Sequence, residues 1–296
     1  MGNYLKYLFF VKPKNILIKI FFDLVFFLKF KNYSKNFRNI ISKNREYLDH
    51  FGELINYKEY EEIDYGIPSK NFKLIDKKIN KTPSNLDLII FLLGAVEKDT
   101  LNYLEIGVSV MKNFMLVDSF LEKSNLVAYD INPIVKKNNK KFQLLDKSSN
   151  RLFVSNETNN TLYYFEGDVL NFKDTKEFNE KLSLNYDFVY SDALHTKEGI
   201  LSEYQNLVEH NLNDKFILYY DDLDIKWDTQ TVEKAVFEIF DEMKTKVQNL
   251  KLFTFWINGW LGQNEKPHKN AVITNFDFES YMKHNDLKLP FLKIYM

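Results

Sequence analysis

Two apolar runs that each end in acidic residues constrain the fold of this chain more than any other feature. Residues 186–191 lead into Asp192 and then His195, and residues 216–220 lead into the pair Asp221-Asp222. Continuous runs of aromatic and branched aliphatic residues are typical of strands buried in a parallel sheet. The stretch between the two runs is long enough for one crossover helix, so the sequence predicts adjacent parallel strands in an α/β fold.

The acids that follow these strands predict a ligand site. The carboxyl ends of parallel strands meet at one edge of the sheet, and ligands bind outside that edge in open α/β sheets. Three of the acids and the histidine are expected to converge: Asp192, Asp221, Asp222 and His195. Carboxylates suit a hard divalent cation, and an imidazole beside them suits a general base. The structural alternative is that Asp222 or Asp224 closes a turn and that His195 caps the next helix.

A second group of elements, between residues 101 and 168, has the order of a nucleotide-binding unit. A strand and tight turn, Leu101–Gly107, precede a helix, and two further strands end near Asp130 and Asp168. The glycine allows the backbone to approach a ligand, while Asp130 is placed to bind ribose hydroxyls and Asp168 to reach an adenine amino group. The full Gly-x-Gly-x-x-Gly pattern is absent, which argues against an NAD-dependent dehydrogenase.

Taken together, these strand ends resemble the successive motifs of class I S-adenosylmethionine-dependent methyltransferases. The resemblance covers about residues 84–275 and rests on four segments: Leu104–Gly107, Ala128–Asp130, Glu166–Asp168 and Asp187–Asp192. It implies a Rossmann-like, mostly parallel seven-stranded sheet with helices on both faces and a C-terminal antiparallel strand. It also implies that S-adenosylmethionine is held by residues at the strand ends: Glu105, Gly107, Ser109, Asp130, Asp168 and Asp192. Val110 and Met111 stand where such proteins often have a further glycine.

A more specific resemblance lies around the fourth of these segments. Ser191–His195 followed by Lys197–Gly199 is similar to the Asp-Gly-x-His-x-Tyr-Glu-Gly arrangement of a methyltransferase subfamily. That subfamily includes magnesium-dependent sugar O-methyltransferases acting on macrolides. The similarity implies that Asp192, Asp221 and Asp222 bind Mg²⁺ and that His195 is the catalytic base. Catechol-type O-methyltransferases have a comparable acidic trio, so the metal pattern is wider than one class of acceptor.

The predicted function is methyl transfer from S-adenosylmethionine to a hydroxyl of a sugar, a glycan or a glycosylated small molecule. A sugar hydroxyl is a poor nucleophile until its proton is removed, and a cation and a base together lower that barrier. Two alternatives stay open. One is a metal-independent methyltransferase in which Asp192 and His195 only shape the acceptor pocket, and the other is a membrane-associated scaffold with a decayed cofactor site. His268 is a further candidate on the substrate side.

The amino end differs in charge from the rest of the chain. Residues 1–50 contain ten Lys or Arg against three Asp or Glu, whereas the whole chain has a net charge of −1. The apolar run 16–28 is shorter than the roughly 20 residues that cross a bilayer. We predict a basic, apolar helical extension over residues 1–80 and a methyltransferase domain over residues 81–296. Peripheral membrane contact through residues 1–31 is expected, and packing on the body or on a second copy in a homo-oligomer is the alternative.

Composition and the remaining segments complete the prediction. The chain has no cysteine, so disulfides and thiolate zinc sites are excluded, and a cytoplasmic location at the inner membrane face is expected. No basic patch accompanies the acidic strand ends, so nucleic acid is not an expected partner. Ser84 or Asn85 is predicted to cap a helix before the first strand. The Lys- and Asn-rich stretch 131–160 is expected to form an excursion over the cofactor crevice.

Overall fold

The computed structural model of the chain describes Leu17, Ile20, Phe21 and Leu24 near the amino end and then most of the body. The described ranges are 34–54, 83–109, 111–134, 139–145, 150–224, 231–259 and 267–296. The predicted domain boundary at residue 80 and the residue Val110 lie outside these ranges, as does most of the predicted membrane segment.

Ten strands in the described part of the chain form one sheet, flanked by seven helices. The strands are β1 Asn102–Ile106, β2 Asn125–Asp130, β3 Gln143–Leu144, β4 Leu152–Ser155, β5 Thr161–Glu166, β6 Tyr186–Ser191, β7 Leu212–Tyr220, β8 Lys251–Ile257, β9 His268–Thr274 and β10 Lys293–Tyr295. The helices are α1 Lys35–Leu54, α2 Asn85–Leu93, α3 Lys112–Phe120, α4 Phe172–Lys181, α5 Lys197–Glu203, α6 Val232–Met243 and α7 Phe278–His284. A π-helical turn, Tyr204–Val208, continues α5.

The strand order is β10-β8-β9-β7-β6-β1-β2-β5-β4-β3. Strands β5, β2, β1, β6 and β7 are parallel neighbours, and β9 lies antiparallel between β7 and β8. The chain reverses its direction of winding between β1 and β6, which is where ligands bind in doubly wound sheets. The predicted α/β fold with a mostly parallel sheet is confirmed, but the predicted number of seven strands is wrong.

The extra strands lie at the two edges of the sheet. β3 and β4 pair with each other and extend the sheet antiparallel to β5, and β10 extends it antiparallel to β8. The stretch 131–160 was expected to form an excursion over the cofactor crevice, whereas its described residues include this edge hairpin. Only Leu152 among the hairpin strands is a fully buried apolar residue, so the apolar alternation that identifies a strand is weak here.

Helices cover both faces of the sheet, as predicted. Successive residues of each strand point to opposite faces, so that Tyr103 and Leu104 of β1 belong to two separate buried clusters. One cluster includes side chains from α1, α2, α3 and α7, and the other includes side chains from α4, α5 and α6. This burial on both faces explains why the strand sequences are almost continuously apolar.

Helix α1 packs on the body of the protein. Phe37 is buried and meets Phe91 of α2 edge-on, with ring centroids 5.1 Å apart. The buried Asn44 donates a hydrogen bond from Nδ2 to Asp87, with the nitrogen 2.6 Å from Oδ1. These contacts fix the described part of the amino-terminal extension against α2.

Helix α2 begins at the edge of the sheet where the parallel strands end. Ser84 caps it by accepting from the Asp87 amide at 3.3 Å, and the Asp87 side chain accepts from the Ser84 amide at 2.7 Å. This reciprocal capping box satisfies two backbone donors that the first turn leaves unpaired. The amide of Asn85 donates to the carbonyl of Asn258 after β8, at 2.8 Å, which ties the start of α2 to the sheet.

Within the described part of the chain, none of the helices combines the length and hydropathy that crossing a bilayer requires.

Candidate functional site

The turn after β1 brings two strand ends into direct contact. Gly107 has φ of 86°, and a Cβ atom there would lie 2.4 Å from the Asp192 carbonyl oxygen and 2.6 Å from Ala193 Cα. The amide of Asp192 donates to the carbonyl of Ile106 at 2.9 Å. The glycine is therefore required by the approach of the chain after β6 as well as by its backbone conformation.

The rest of this turn is held in a conformation that side chains disfavour. Ser109 and Met111 have φ values of 46° and 63°, in the left-handed region, although neither is glycine. Met111 precedes α3 directly and is fully buried. Non-glycine residues in this region each cost about 1–2 kcal/mol, and such strain persists only where the surroundings enforce it.

Asp130, at the end of β2, holds this turn in place through hydrogen bonds. Its Oδ2 accepts from the amides of Val108 and Ser109 at 2.8 and 2.9 Å, and its Oδ1 accepts from the backbone and side-chain nitrogens of Asn132 at 2.8 and 3.1 Å. A carboxylate has about four lone-pair positions, so these four donors occupy all of them. A ribose hydroxyl would have to replace Asn132, and the predicted ribose contact stays a prediction.

Glu105 is a buried carboxyl beneath the turn rather than an exposed ligand. It is 1% exposed, and Tyr103 donates its hydroxyl to Oε2 at 2.7 Å. Burial raises the pKa of Glu105 to about 8, against the opposing effects of the Tyr103 hydrogen bond and the Lys112 ammonium. At neutral pH this carboxyl is therefore mostly protonated in the folded protein.

Asp168 and three exposed apolar side chains lie after β2 and β5. Asp168 accepts from the Leu170 amide at 2.9 Å through Oδ1. Ile131, Leu170 and Phe172 are 64%, 45% and 68% exposed, although each is a large hydrophobic residue. Sequence reasoning missed these three, and their signal is an apolar residue shortly after each acid. Exposed apolar groups at strand ends suit the faces of a flat ring.

The strand ends of β6 and β7 bring Asp192, His195 and Asp222 together, as predicted. Nε2 of His195 lies 3.5 Å from Oδ1 of Asp192 and 3.9 Å from Oδ2 of Asp222. One ligand atom from each residue falls within 4.8 Å of the others, which is close enough to share one metal ion. Their side chains are 28%, 12% and 16% exposed, so the group is accessible but largely enclosed.

The structural alternatives for these residues are resolved one by one. Thr196, and not His195, caps α5, because its hydroxyl accepts from the Gly199 amide at 3.0 Å. Asp224 accepts from the Lys269 amide at 3.0 Å, so this acid has the turn-closing role that the sequence allowed. Asp222 has φ of 55°, and this left-handed backbone places its side chain next to His195.

Asp221 differs from its neighbour because its oxygens are all engaged by protein donors. Oδ2 accepts from Nδ2 of Asn85 at 2.5 Å and lies 3.2 Å from the Tyr190 hydroxyl, whose single proton is shared with Oδ2 of Asp192, 2.9 Å away. Oδ1 accepts from the Asp222 amide at 2.8 Å and from Nδ2 of Asn270. Asp221 also lies within ligand distance of Asp222 and His268. These donors anchor Asp221 in the structure, and its predicted role as a metal ligand stays a prediction.

His268 joins the site from the start of β9. Its Nδ1 contacts Oδ1 of Asp222, on the side of that carboxylate away from the oxygen nearest His195. The sequence offered His268 only as a substrate-side candidate in a long loop. Its place opposite Asp222 depends on the pairing of β9 with β7, which no local pattern specifies.

The electrostatics of the site favour a positive charge. Burial raises the pKa of Asp192 well above its ordinary value, and the carboxylates of Asp221 and Asp222 raise it further. Burial and Asp222 likewise raise the pKa of Asp221. Carboxylates that repel one another in this way are relieved by a bound cation or by a shared proton.

Comparisons with known proteins leave the activity open. No family model matches the chain, and no curated protein matches it. Among solved structures, it is similar to the O-methyltransferase TomG from Streptomyces achromogenes, involved in tomaymycin synthesis and solved with S-adenosylmethionine. That match has 11% identity and a TM-score of 0.45, covering 79% of this chain and 89% of that chain.

Two further solved structures show the same level of similarity. An O-methyltransferase from Bacillus cereus has 11% identity and a TM-score of 0.44, covering 73% of this chain and 96% of that chain. Spermidine synthase from Thermotoga maritima has 12% identity and a TM-score of 0.38, covering 70% of this chain and 64% of that chain. At these values the likeness assigns no reaction, so the functional argument rests on the site itself.

Proposed function

We propose that this protein is an S-adenosylmethionine-dependent O-methyltransferase assisted by a divalent cation. The observation that supports it best is the convergence of Asp192, His195 and Asp222 directly beside the Gly107 turn. A cation and base site then adjoins the turn where the sequence predicts the methyl donor. O-methyl transfer needs these two elements in contact, because the acceptor oxygen must lie in line with the donor methyl group.

The side chains at the site fit a divalent cation and S-adenosylmethionine in part. Asp192 and Asp222 offer carboxylate oxygens to a hard cation, and His195 lies beside them as the base. The exposed apolar side chains Ile131 and Leu170 suit the adenine of a nucleoside cofactor. Of the three predicted metal ligands, Asp221 is the one that accepts the most hydrogen bonds from protein donors.

The chain's own residues account for the proton. When bound, the cofactor supplies a methyl group on a sulfonium, and the cation lowers the pKa of the acceptor hydroxyl. His195 would take the proton of that hydroxyl as it attacks the methyl group. Asp192 and Asp222, at 3.5 and 3.9 Å, stabilise the resulting imidazolium. The chain would need no second acid, because a sulfonium donor departs as a neutral thioether.

The cofactor is tested first by binding. Isothermal titration of the protein with S-adenosylmethionine, with and without Mg²⁺, is expected to show saturable binding. Absence of heat and of competition by S-adenosylhomocysteine in both conditions would remove the proposal. Reduced nicotinamide fluorescence provides the matching control, because a dehydrogenase would perturb it and this protein is expected not to.

Variants then test the two roles. Asp192→Ala is expected to abolish metal-stimulated turnover, while His195→Ala lowers kcat at neutral pH by about 10²–10⁴-fold. Asp214→Ala and His284→Ala are the matched controls, because both residues are exposed and lie outside the site. Near-normal rates in both site variants would show that the cluster is structural.

One observation favours the scaffold alternative, in which the cofactor site has decayed. Asp130 already has four protein donors on its carboxylate, so it offers no open position to a ribose. Equal cofactor affinity in the wild type and in Asp130→Ala, or no affinity in either, would support that alternative. Turnover that survives EDTA would instead favour the metal-independent methyltransferase.

The acceptor class that we propose is a sugar or glycan hydroxyl. A cation held between carboxylates binds vicinal hydroxyls well, because both oxygens can enter its coordination sphere. An acceptor panel of hexoses, glycosylated macrolides, catechols and simple alcohols, with transfer of a labelled methyl group, separates the classes. Preference for catechols over every sugar would exclude the glycan assignment while leaving O-methyl transfer intact.

Membrane contact at the amino end is part of the proposal. Leu17, Ile20, Phe21 and Leu24 are helical, 53–67% exposed, and spaced so that they share one helix face. Lysines flank this stretch in the sequence, which suits an anionic lipid surface. Co-sedimentation with phosphatidylserine vesicles is expected for the wild type and lost in Phe21→Asp, with Leu145→Asp as the exposed apolar control. Equal sedimentation of all three would exclude it.

A further inference from the structure

We propose that His268 is a positioning residue that holds one oxygen of Asp222, so that the other oxygen faces His195 and the cation. This inference deepens the proposed function and rests on it. The two oxygens of the Asp222 carboxylate have different neighbours. Nδ1 of His268 contacts Oδ1, whereas Nε2 of His195 lies 3.9 Å from Oδ2.

The backbone around Asp222 requires such a holder. Asp222 has φ of 55°, a strained conformation in which no regular strand pairing supports the residue. The next residue, Leu223, donates its amide to the carbonyl of Lys269 at 2.7 Å, and the Lys269 amide donates to Asp224. The start of β9 is thus fastened to both residues that follow Asp222, and His268 completes the contact at Asp222 itself.

Strand β9 holds the two adjacent acids by the same device. His268 and Asn270 are two residues apart in one strand and therefore point to the same face. Asn270 donates to Asp221, and His268 contacts Asp222. The Asn270 amide is itself oriented, because the Tyr219 hydroxyl donates to its Oδ1 at 2.6 Å and leaves Nδ2 for Asp221.

The two histidines differ in what their ring nitrogens contact. The ring nitrogen that His268 directs at Asp222 is occupied by that contact, so the same nitrogen cannot also bind a cation or take the acceptor's proton. His195 instead lies between Asp192 and Asp222. Partners that orient a metal-binding carboxylate from behind typically change metal affinity by 10–100-fold when they are removed.

The test is direct binding of Mn²⁺, used as a paramagnetic probe of the cation site in the full chain without acceptor. Electron paramagnetic resonance of free Mn²⁺ is expected to show 10–100-fold weaker binding for His268→Ala than for the wild type. His284→Ala is the control, because it removes an exposed imidazole on α7 and is expected to bind as the wild type does.

A pair of conservative variants separates positioning from simple folding. The side-chain nitrogen of asparagine can replace Nδ1, whereas that of glutamine lies one bond further out. His268→Asn is therefore expected to bind Mn²⁺ at least several-fold tighter than His268→Gln, at similar thermal stability. Equal affinities in these two variants would overturn the proposal, even if His268→Ala fails to fold.

The outcomes also separate this inference from the proposed function. Unchanged Mn²⁺ affinity in His268→Ala, together with lost affinity in Asp222→Ala, would overturn only the role of His268. Failure of the wild type itself to bind Mn²⁺ would overturn both the cation site and the positioning role. Cofactor affinity measured in parallel is expected to stay unchanged in every His268 variant.

Discussion

The carboxylates at the ends of the parallel strands fall into two kinds, and the contrast between them separates structure from chemistry. Asp130 accepts four hydrogen bonds from protein donors and Asp221 accepts three, while the Tyr190 hydroxyl is shared between Asp221 and Asp192. Asp192 and Asp222 face each other and two imidazoles, with fewer donors around them. Acids of the first kind hold the edge of the sheet together, and acids of the second kind are the ones that we propose to bind the cation.

The contrast shows that an acid's position at a strand end does not decide its role. Asp221 and Asp222 are adjacent in sequence, yet one is anchored by Asn85 and Asn270 and the other lies between two histidines. What decides is the number of donors that neighbouring elements direct at each carboxylate, because a satisfied buried acid has no further capacity for a cation.

The largest expected effect comes from the contact that joins the two regions. Gly107→Ala would place Cβ 2.4 Å from the Asp192 carbonyl oxygen at a φ of 86°, so the chain after β6 must move. We expect a loss of roughly 3–5 kcal/mol in the free energy of unfolding, measured in urea. Gly259→Ala is the control, since its nearest neighbour would be 3.6 Å away. Similar losses in both variants would show that the contact is not special.

The next effect compares the two adjacent acids. Asp221→Asn replaces an accepting oxygen by an NH2 group that faces other hydrogen-bond donors. We therefore expect a loss of roughly 2–4 kcal/mol in the free energy of unfolding. Asp222→Asn removes a repelling charge and is expected to change stability by less than about 1 kcal/mol while abolishing Mn²⁺ binding. Urea unfolding in EDTA measures both. A reversed order of stability would break the division between anchoring and ligand-binding acids.

A third effect concerns pH and the buried Glu105. Its pKa is about 8 in the folded protein against an ordinary 4.5, so the folded state keeps a proton that the unfolded chain loses. The stabilisation of the folded state by this proton is complete below about pH 4.5. As pH rises to 8, the free energy of unfolding falls by up to about 1.4 kcal/mol per pH unit. Glu105→Gln is expected to flatten this part of the stability profile. An unchanged slope in the variant would contradict the assignment.

The smallest effect tests strain in the turn after β1. Ser109 has φ of 46°, and Ser109→Gly relieves the left-handed strain at some cost in chain entropy. We expect the free energy of unfolding, measured by thermal denaturation, to rise by about 0.5–1 kcal/mol. Ser119→Gly, inside α3, is the control. It is expected to lower the free energy of unfolding by about as much as Ser109→Gly raises it. Destabilisation by both would mean that the turn is not strained at Ser109.

The sheet and its strand ends could be predicted from sequence because the evidence is local. Long apolar runs stopping at Asp130, Asp192 and Asp221 define buried strands, and parallel strands necessarily share an edge. Of the two predicted caps of α2, Ser84 is the observed one, and it forms a capping box with Asp87. The hairpin β3–β4 could not be predicted, because its short strands carry little apolar alternation.

The division of labour among the acids could not be predicted, because it depends on residues far away in sequence. The donors to Asp221 come from Asn85, 136 positions before it, and Asn270, 49 positions after it. Neither asparagine has a local motif that marks it. The left-handed turn at Met111 is likewise invisible, because a buried methionine reads as an ordinary core residue.

The anchoring of Asp221 from both ends of the body has a consequence for synthesis on the ribosome. Helix α2 and strands β1 to β7 emerge before β9, so Asp221 can meet Asn85 while Asn270 is still inside the exit tunnel. Until residue 270 emerges, the Asp221 carboxylate lacks the hydrogen bond from Asn270. Burying Asp221 before then costs free energy, because a buried acceptor is left without this donor. The region around Asp221 is therefore completed only after β9 has emerged from the ribosome.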